Sequence, residues 1–242
     1  MPSPDLCVCV LLYGSNPYCV RMAQRVLNRP LRDLGRAGIE FRFGLNAVGD
    51  ETRDILSSAM QTDFVNAFVI DCPENISKYP MMRRLFYDKP LLASLVMWFD
   101  DDSCVIPTTE VEPWLDRIQQ QMTAYTMLGS VHRERFVGNQ IDWIKVQPWY
   151  NGKEPGAYTQ FAAGGWWTMR TEPLLRFNWP PRAFLHRGGD VMTGELLRQH
   201  DMRLGHFRDN LWINANEYGV ESQSIRRGKA GAPIGYDYPV PV

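Results

Sequence analysis

Four apolar, β-prone runs separated by helical stretches fill the first hundred residues, and this alternation constrains the fold more than any other feature. Leu6 to Leu12 (LCVCVLL) is continuously apolar and reads as a strand buried on both faces. In the Gly14-Ser15-Asn16-Pro17 stretch that follows, Ser15 or Asn16 can cap a helix with Pro17 in its first turn. That helix runs to about Asn28, where Pro30 stops it, and Arg32 to Arg36 continues as a short helical piece. Ile39 to Leu45 alternates as a second strand, Asp50 to Met60 reads as a helix, and Phe64 to Ile70 is a third strand. Tyr79 to Tyr87 is helical, and Leu91 to Phe99 is a fourth strand. Strands alternating with helices imply a parallel sheet with right-handed crossovers. Ligands of such open sheets bind beyond the carboxyl ends of the strands.

The second half is less regular. Glu112 to Leu128 has the period of an amphipathic helix, and Val131 to Gln160 is irregular and rich in Trp, Tyr and Gly. Gly188-Gly189-Asp190 precedes a helix from Val191 to about His200, and Met202 to Phe207 reads as a strand. The tail from about Ser222 is rich in Gly, Pro and Arg. No linker interrupts the chain, so the expectation is one domain over 1–242. Residues 1–104 would form a nucleotide-binding half and 105–242 an acceptor-side half.

The formal net charge of −1 argues against a protein that coats nucleic acid by bulk charge, while leaving room for a local basic groove. Cys7, Cys9, Cys19, Cys72 and Cys104 form no CxxC pair, so buried thiols in a reducing compartment are expected and a zinc site is not. The N-terminus lacks a basic start, and its apolar run is too short to span a bilayer. A cytoplasmic protein with no membrane partner is the expectation.

The chemistry centres on Asp100-Asp101-Asp102, where the fourth strand ends. Consecutive carboxylates repel one another and are stabilised by a divalent cation. Oxygen ligands suit Mg²⁺ or Mn²⁺, either of which can bridge to a diphosphate. An acidic turn that merely stops a strand is the plain alternative.

VMWFDDD after three βα units resembles the D-x-D signature of glycosyltransferases of the GT-A fold, in the pattern of family 2. The resemblance implies an α/β, GT-A (Rossmann-like) fold, with a mixed, mostly parallel sheet flanked by helices in a single domain. It implies a metal-dependent, inverting hexosyltransferase-type enzyme that uses a nucleoside-diphosphate sugar, a UDP-sugar by expectation, with Mn²⁺ or Mg²⁺. Asp102 would ligate the metal, with Asp100 as a further ligand. Alternatively, Asp100 or Asp101 would approach the ribose or base. Tyr13, Gly14 and Ser15 match the family's first nucleotide contact. The acid usual at the tip of the second strand is absent, so Asn46 or Asp50 would serve. Asn75, Lys78, Arg83 and Arg84 fall where the family carries an Asn-containing basic stretch, and a cation there can pair with the diphosphate; a solvated helix face is the alternative for Arg83 and Arg84.

Gly164-Gly165-Trp166 resembles the family's small-residue segment beneath the donor sugar, with Trp166 or Trp167 as an apolar platform. A β-bulge with core tryptophans is the alternative. Gly188-Gly189-Asp190 resembles the segment carrying the catalytic acid pair, but Gly189 replaces the first acid. Asp190 would be the general base, a helix cap, or both. Among the histidines, His206 is the candidate to complete the metal shell. His200 reads as a helix C-terminal residue, and His186 is a candidate site-lining residue.

The tail 222–229 would close over the diphosphate, or be a flexible, disordered end from about 222. The acceptor stays open among glycans, lipids, proteins, small molecules and a hydroxymethylated base in DNA. A DNA acceptor would be served by His132, Arg133, Glu134, Arg135, Arg182, Arg187, Arg226 and Arg227. A nucleotidyltransferase and a catalytically degenerate nucleotide-sugar-binding protein are the rival readings.

Overall fold

The computed structural model describes residues 5–185 and 188–213. The expected flexible tail from about 222, and the roles suggested for His186, Arg187, Arg226 and Arg227, lie outside these residues.

The alternation of the first hundred residues gives four parallel strands. These are β1 (Leu6–Tyr13), β2 (Glu40–Asn46), β3 (Ala67–Cys72) and β4 (Leu95–Phe99). The helices between them are α1 (Pro17–Val26), α2 (Arg29–Arg36), α3 (Asp50–Thr62) and α4 (Lys78–Tyr87). Asn16 caps α1, its side chain accepting from the Cys19 N–H at 3.0 Å. Pro30 does not end a helix: it lies in the first turn of α2, where a missing N–H costs nothing. β3 starts three residues later than its apolar run, because Phe64 packs back beneath α2 and against Phe41 and Phe43.

Beyond β4 come β5 (Cys104–Val105), α5 (Val111–Met122), β6 (Met127–Arg135) and α6 (Gln140–Lys145). Then follow β7 (Tyr158–Arg170), α7 (Thr171–Arg176), α8 (Gly189–Gln199), β8 (Leu204–His206) and β9 (Leu211–Trp212). The helical pattern through Leu128 stops early, at Met122, and Met127 already begins β6. The stretch expected to be irregular supplies β6 and β7, a long antiparallel pair.

Among the described residues, seven strands form one sheet in the order β3-β2-β1-β4-β7-β6-β8, and β5 pairs with β9 separately. β7 alone in the large sheet runs against the rest. The fold is therefore α/β with a mixed, mostly parallel sheet, as expected.

Two apolar layers sandwich the sheet. Leu56, Leu31, Val26, Trp114 and Trp166 belong to the layer under α1, α2, α3 and α5. Met81, Leu85, Trp98, Trp167, Leu174 and Leu196 belong to the layer under α4, α7 and α8. Strand alternation sends Val96 and Trp98 to this second layer and Met97 and Phe99 to the first. Asp100, two residues past Trp98, continues toward the α4 and α8 side. That alternation brings the chemistry together.

Candidate active site

The carboxyl ends of β1, β2 and β3 are level, with Tyr13 opposite Asn46 and Asn46 opposite Cys72. This register places the expected nucleotide-side residues in one network. The buried Asn46 amide donates to Asn75 Oδ1 at 3.0 Å, and its own oxygen accepts from the Ile76 N–H at 2.9 Å. Asn75 donates on to the Tyr13 hydroxyl at 3.3 Å, and the Gly14 N–H reaches the Asn46 carbonyl at 3.3 Å. Ser15 packs against Gly49. Asn46 thus holds the strand tip where a family member would carry an acid. Asp50 does not join the network: its side chain is 97% exposed and pairs with Arg53, which also binds Asp71.

At the end of β4 the Asp100 carboxylate is held at both oxygens. Trp98 Nε1 donates to Oδ1 at 2.8 Å, and Lys78 Nζ donates to Oδ2 at 2.7 Å. Trp98 is fixed by stacking on Trp167, ring centroids 6.1 Å apart. Lys78, at the first position of α4, also donates to the Gly164 carbonyl at 3.2 Å. Gly164 lies in β7, one residue before Gly165, whose carbonyl accepts from the Asp100 N–H at 2.8 Å.

A Cβ on Gly164 would fall 2.5 Å from Lys78 Nζ and 2.7 Å from both Asp190 oxygens. Lys78 and Asp190 therefore fill the space that a side chain would take. Asp190, half-buried in the first turn of α8, accepts from the Tyr79 hydroxyl at 3.0 Å. Asp101 is half-buried, and Asp102 is 4% exposed.

Electrostatics follow from this packing. Burial works against the Lys78 charge, but the facing carboxylates of Asp100, Asp190 and Asp102 hold its ammonium above its usual pKa. Burial raises the Asp100 carboxyl to about 6; Lys78 opposes the rise and Asp102 adds to it. The site is thus a group of acids built around one resident ammonium.

Four of the candidate residues are engaged elsewhere. Arg83 does not face this site: its guanidinium donates to the Asn178 and Pro180 carbonyls and to Asn178 Oδ1, and it lies over the Tyr87 ring. Arg84 pairs with Asp88. Trp166 offers no platform, being fully buried in the other layer against Trp114 and Phe207. His206 stands on β8, where its register partner Gly129 faces Trp167 and Trp167 faces Trp98. It is three strands from β4, roughly 14 Å at ordinary strand spacing. It is also engaged by the Val131 N–H at 3.1 Å.

Two contributors escaped the sequence reading. Trp98 was recoverable, since a residue two before Asp100 shares its face. Tyr79 had no signal beyond its place beside Lys78. Glu195 is fully buried and is bound by Arg198 and Gln199 within α8. His200 ends α8, as read, and bonds the Trp149 carbonyl at 2.7 Å.

β6 and β7 continue past the end of β4 as a two-stranded ribbon. It carries exposed Arg133 and Arg135, with the Arg133 guanidinium 5.0 Å over the Tyr158 ring.

The chain matches no protein-family model and no curated protein sequence. Solved structures do match it. A mannosyltransferase from Pyrobaculum calidifontis, solved with GDP-Man and Mn²⁺, superposes with a TM-score of 0.56 at 14% identity. The match covers 85% of this chain and 55% of that one. TarS 1–349 from S. aureus superposes with a TM-score of 0.52 at 14% identity, over 84% of this chain and 58% of that one. The fold is GT-A. This chain spans little more than half the length of either protein.

In a GT-A fold the acid group of this chain lies where the central strand β4 ends. Among the described residues, no set of three or more His, Cys, Asp or Glu side chains is arranged to hold a metal. The donors nevertheless fit a hard cation that keeps most of its shell for water and phosphate, since Mg²⁺ is commonly held by one or two carboxylates and substrate oxygens. Asp100 answers Lys78 and Trp98, and Asp101 and Asp102 complete the acid group beside it. No helix among the described residues is long and apolar enough to cross a membrane.

Proposed function

We propose that the chain is a nucleotide-sugar-dependent glycosyltransferase that transfers a hexose, with inversion, to an acceptor hydroxyl. The observation that carries this reading is the meeting of Asp100, Asp102 and Asp190 around Lys78 at the end of β4, within a GT-A fold.

The Tyr13, Asn46 and Asn75 network forms the floor for the nucleoside. Its amide groups suit the edges of a base or ribose. The acid group at the end of β4 receives the diphosphate side. When bound, Mn²⁺ or Mg²⁺ at Asp102, with Asp101 beside it, supplies charge stabilisation for the departing diphosphate. Asp190 takes the proton of the acceptor hydroxyl, whose oxygen then bonds to the anomeric carbon. The carbon–oxygen bond to the diphosphate breaks, and its electron pair leaves with the nucleoside diphosphate. Lys78 prevents the acids from repelling one another before donor arrives.

UDP-sugars and GDP-mannose are the first donors to try, since the matched mannosyltransferase was solved with GDP-Man and TarS 1–349 has also been solved with UDP. The Arg133, Arg135 and Tyr158 ribbon supports an anionic acceptor, hydroxymethylated DNA included. A cytoplasmic site of action belongs to the same reading.

A thermal-shift screen of nucleoside mono-, di- and triphosphates and sugar nucleotides, with and without Mn²⁺, tests it. The expected result is stabilisation by one nucleoside diphosphate and its sugar, larger with Mn²⁺. Stabilisation by a triphosphate alone would favour nucleotidyl transfer. Binding of a sugar nucleotide with no release of nucleoside diphosphate to any acceptor, water included, would leave a binding protein.

A further inference from the structure

We infer that Tyr79 sets the position of the Asp190 carboxylate, and that residue 189 is glycine to admit the Tyr79 ring. The inference rests on the reading of Asp190 as the base.

Tyr79 is 3% exposed and clamped on three sides. Its ring meets Phe184 edge-on at 5.5 Å between centroids. Its N–H bonds the Leu185 carbonyl at 3.0 Å, and its hydroxyl donates to Asp190 Oδ1 at 3.0 Å. A Cβ on residue 189 would fall 2.2 Å from Tyr79 Cζ and 2.3 Å from its hydroxyl oxygen. No side chain fits there while the phenol stays. The Gly189 that departs from the family's paired acids is thus accounted for by a phenol in the same space.

The backbone also serves this placement. Ser77, just before α4, holds φ 72 and ψ 167, a region otherwise kept for glycine, and such strain persists where surroundings over-determine it. The next two residues engage one acid from each half of the chain. Lys78 takes Asp100 from the donor half, and Tyr79 takes Asp190 from the acceptor half. With Oδ1 accepting from the phenol, Asp190 has Oδ2 for the acceptor proton. Tyr79 acts through Asp190 and is a positioning residue.

The test uses the full chain with Mn²⁺ and either UDP-glucose or GDP-mannose, whichever it turns over, with water as the acceptor. It reads kcat, donor KM, UDP or GDP affinity and melting temperature. Tyr79→Phe keeps the ring and removes the hydrogen bond. It is expected to lower kcat about 10- to 100-fold, as loss of an orienting partner does, with donor KM, nucleotide affinity and melting little changed. Gly189→Ala is expected to lower kcat at least as much. Adding it to Tyr79→Leu, which vacates the ring's space, should cost little more than Tyr79→Leu alone.

Asp190→Asn separates the two readings. If it abolishes turnover while Tyr79→Phe keeps kcat within twofold, the Tyr79 inference is wrong and the base stands. If Asp190→Asn keeps full turnover, the base reading fails and the Tyr79 inference falls with it. A Tyr79→Phe loss shared equally by kcat and nucleotide affinity would also overturn the inference, since it would show general distortion.

Discussion

Lys78 and Asp190 approach the same point in space, the position that a side chain at Gly164 would occupy. They come from the starts of two helices that pack on one face of the sheet, and the glycine between them belongs to β7, which runs against its neighbours β4 and β6. Gly164→Ala is therefore expected to push the ammonium and the carboxylate apart. Overpacking of this kind costs about 1–3 kcal/mol. Turnover should fall about 100-fold or more, because sub-ångström placement governs rate. Gly156→Ala, whose nearest neighbour atom would be 3.6 Å away, is the control that leaves urea stability and turnover intact.

Lys78 pairs with Asp100 at 2.7 Å, with side-chain exposures of 8% and 15%. Removing one partner of a buried pair strands the other charge. Lys78→Met should thus lower the unfolding free energy by about 3 kcal/mol. The double variant Lys78→Met, Asp100→Asn should recover much of that loss. Urea melts of the four proteins in the cycle measure the coupling, and additive losses would show that the two groups do not depend on each other.

The raised Asp100 carboxyl gives a pH signature in EDTA. Its folded pKa is about 6, against an ordinary carboxyl near 3.8, so ionising it is harder in the folded chain than in the unfolded one. The stability it contributes is complete below the lower value and is lost as pH rises through about 6. At about 1.4 kcal/mol per unit, Asp100→Asn should gain roughly 2–3 kcal/mol on the parent between pH 4 and pH 7.5. Denaturant titrations at several pH values check this. A flat difference would mean that Lys78 compensates the burial in full.

The parallel half of the fold was legible because its strands are buried on both faces and stay apolar along their length, as Leu6 to Leu12 does. The β6–β7 pair was hidden by a change of environment within one strand. Met127 to Ser130 are buried, whereas Arg133 to Arg135 stand in solvent, so no single period runs through. The α5 boundary was hidden because no Gly or Pro separates Met122 from Met127. In the site, Lys78, Asp100 and Asp190 were legible as residue types at plausible places. The approach of Lys78 to Asp100 across 22 positions, and of Tyr79 to Asp190 across 111, depends on helix starts converging over β7, which no local pattern encodes. Arg83 and His206 illustrate the converse: suitable chemistry in sequence, carried to other places by the packing of α4 and the strand order.

The division of the metal between candidate ligands can be decided by two substitutions. Asp102 sits at the end of the central strand beside Lys78 and Asp100, whereas His206 is three strands away and bonded to Val131. Asp102→Asn removes the negative oxygen of the proposed ligand while keeping shape. The expected outcome is loss of at least tenfold of the Mn²⁺-dependent part of UDP affinity, with the Mn²⁺-independent part kept. His206→Gln should leave both parts within twofold. Isothermal titration of UDP with and without Mn²⁺ reads each directly. A large Mn²⁺-specific loss in His206→Gln, with Asp102→Asn unaffected, would require β8 to move toward β4 on binding and would reverse the assignment.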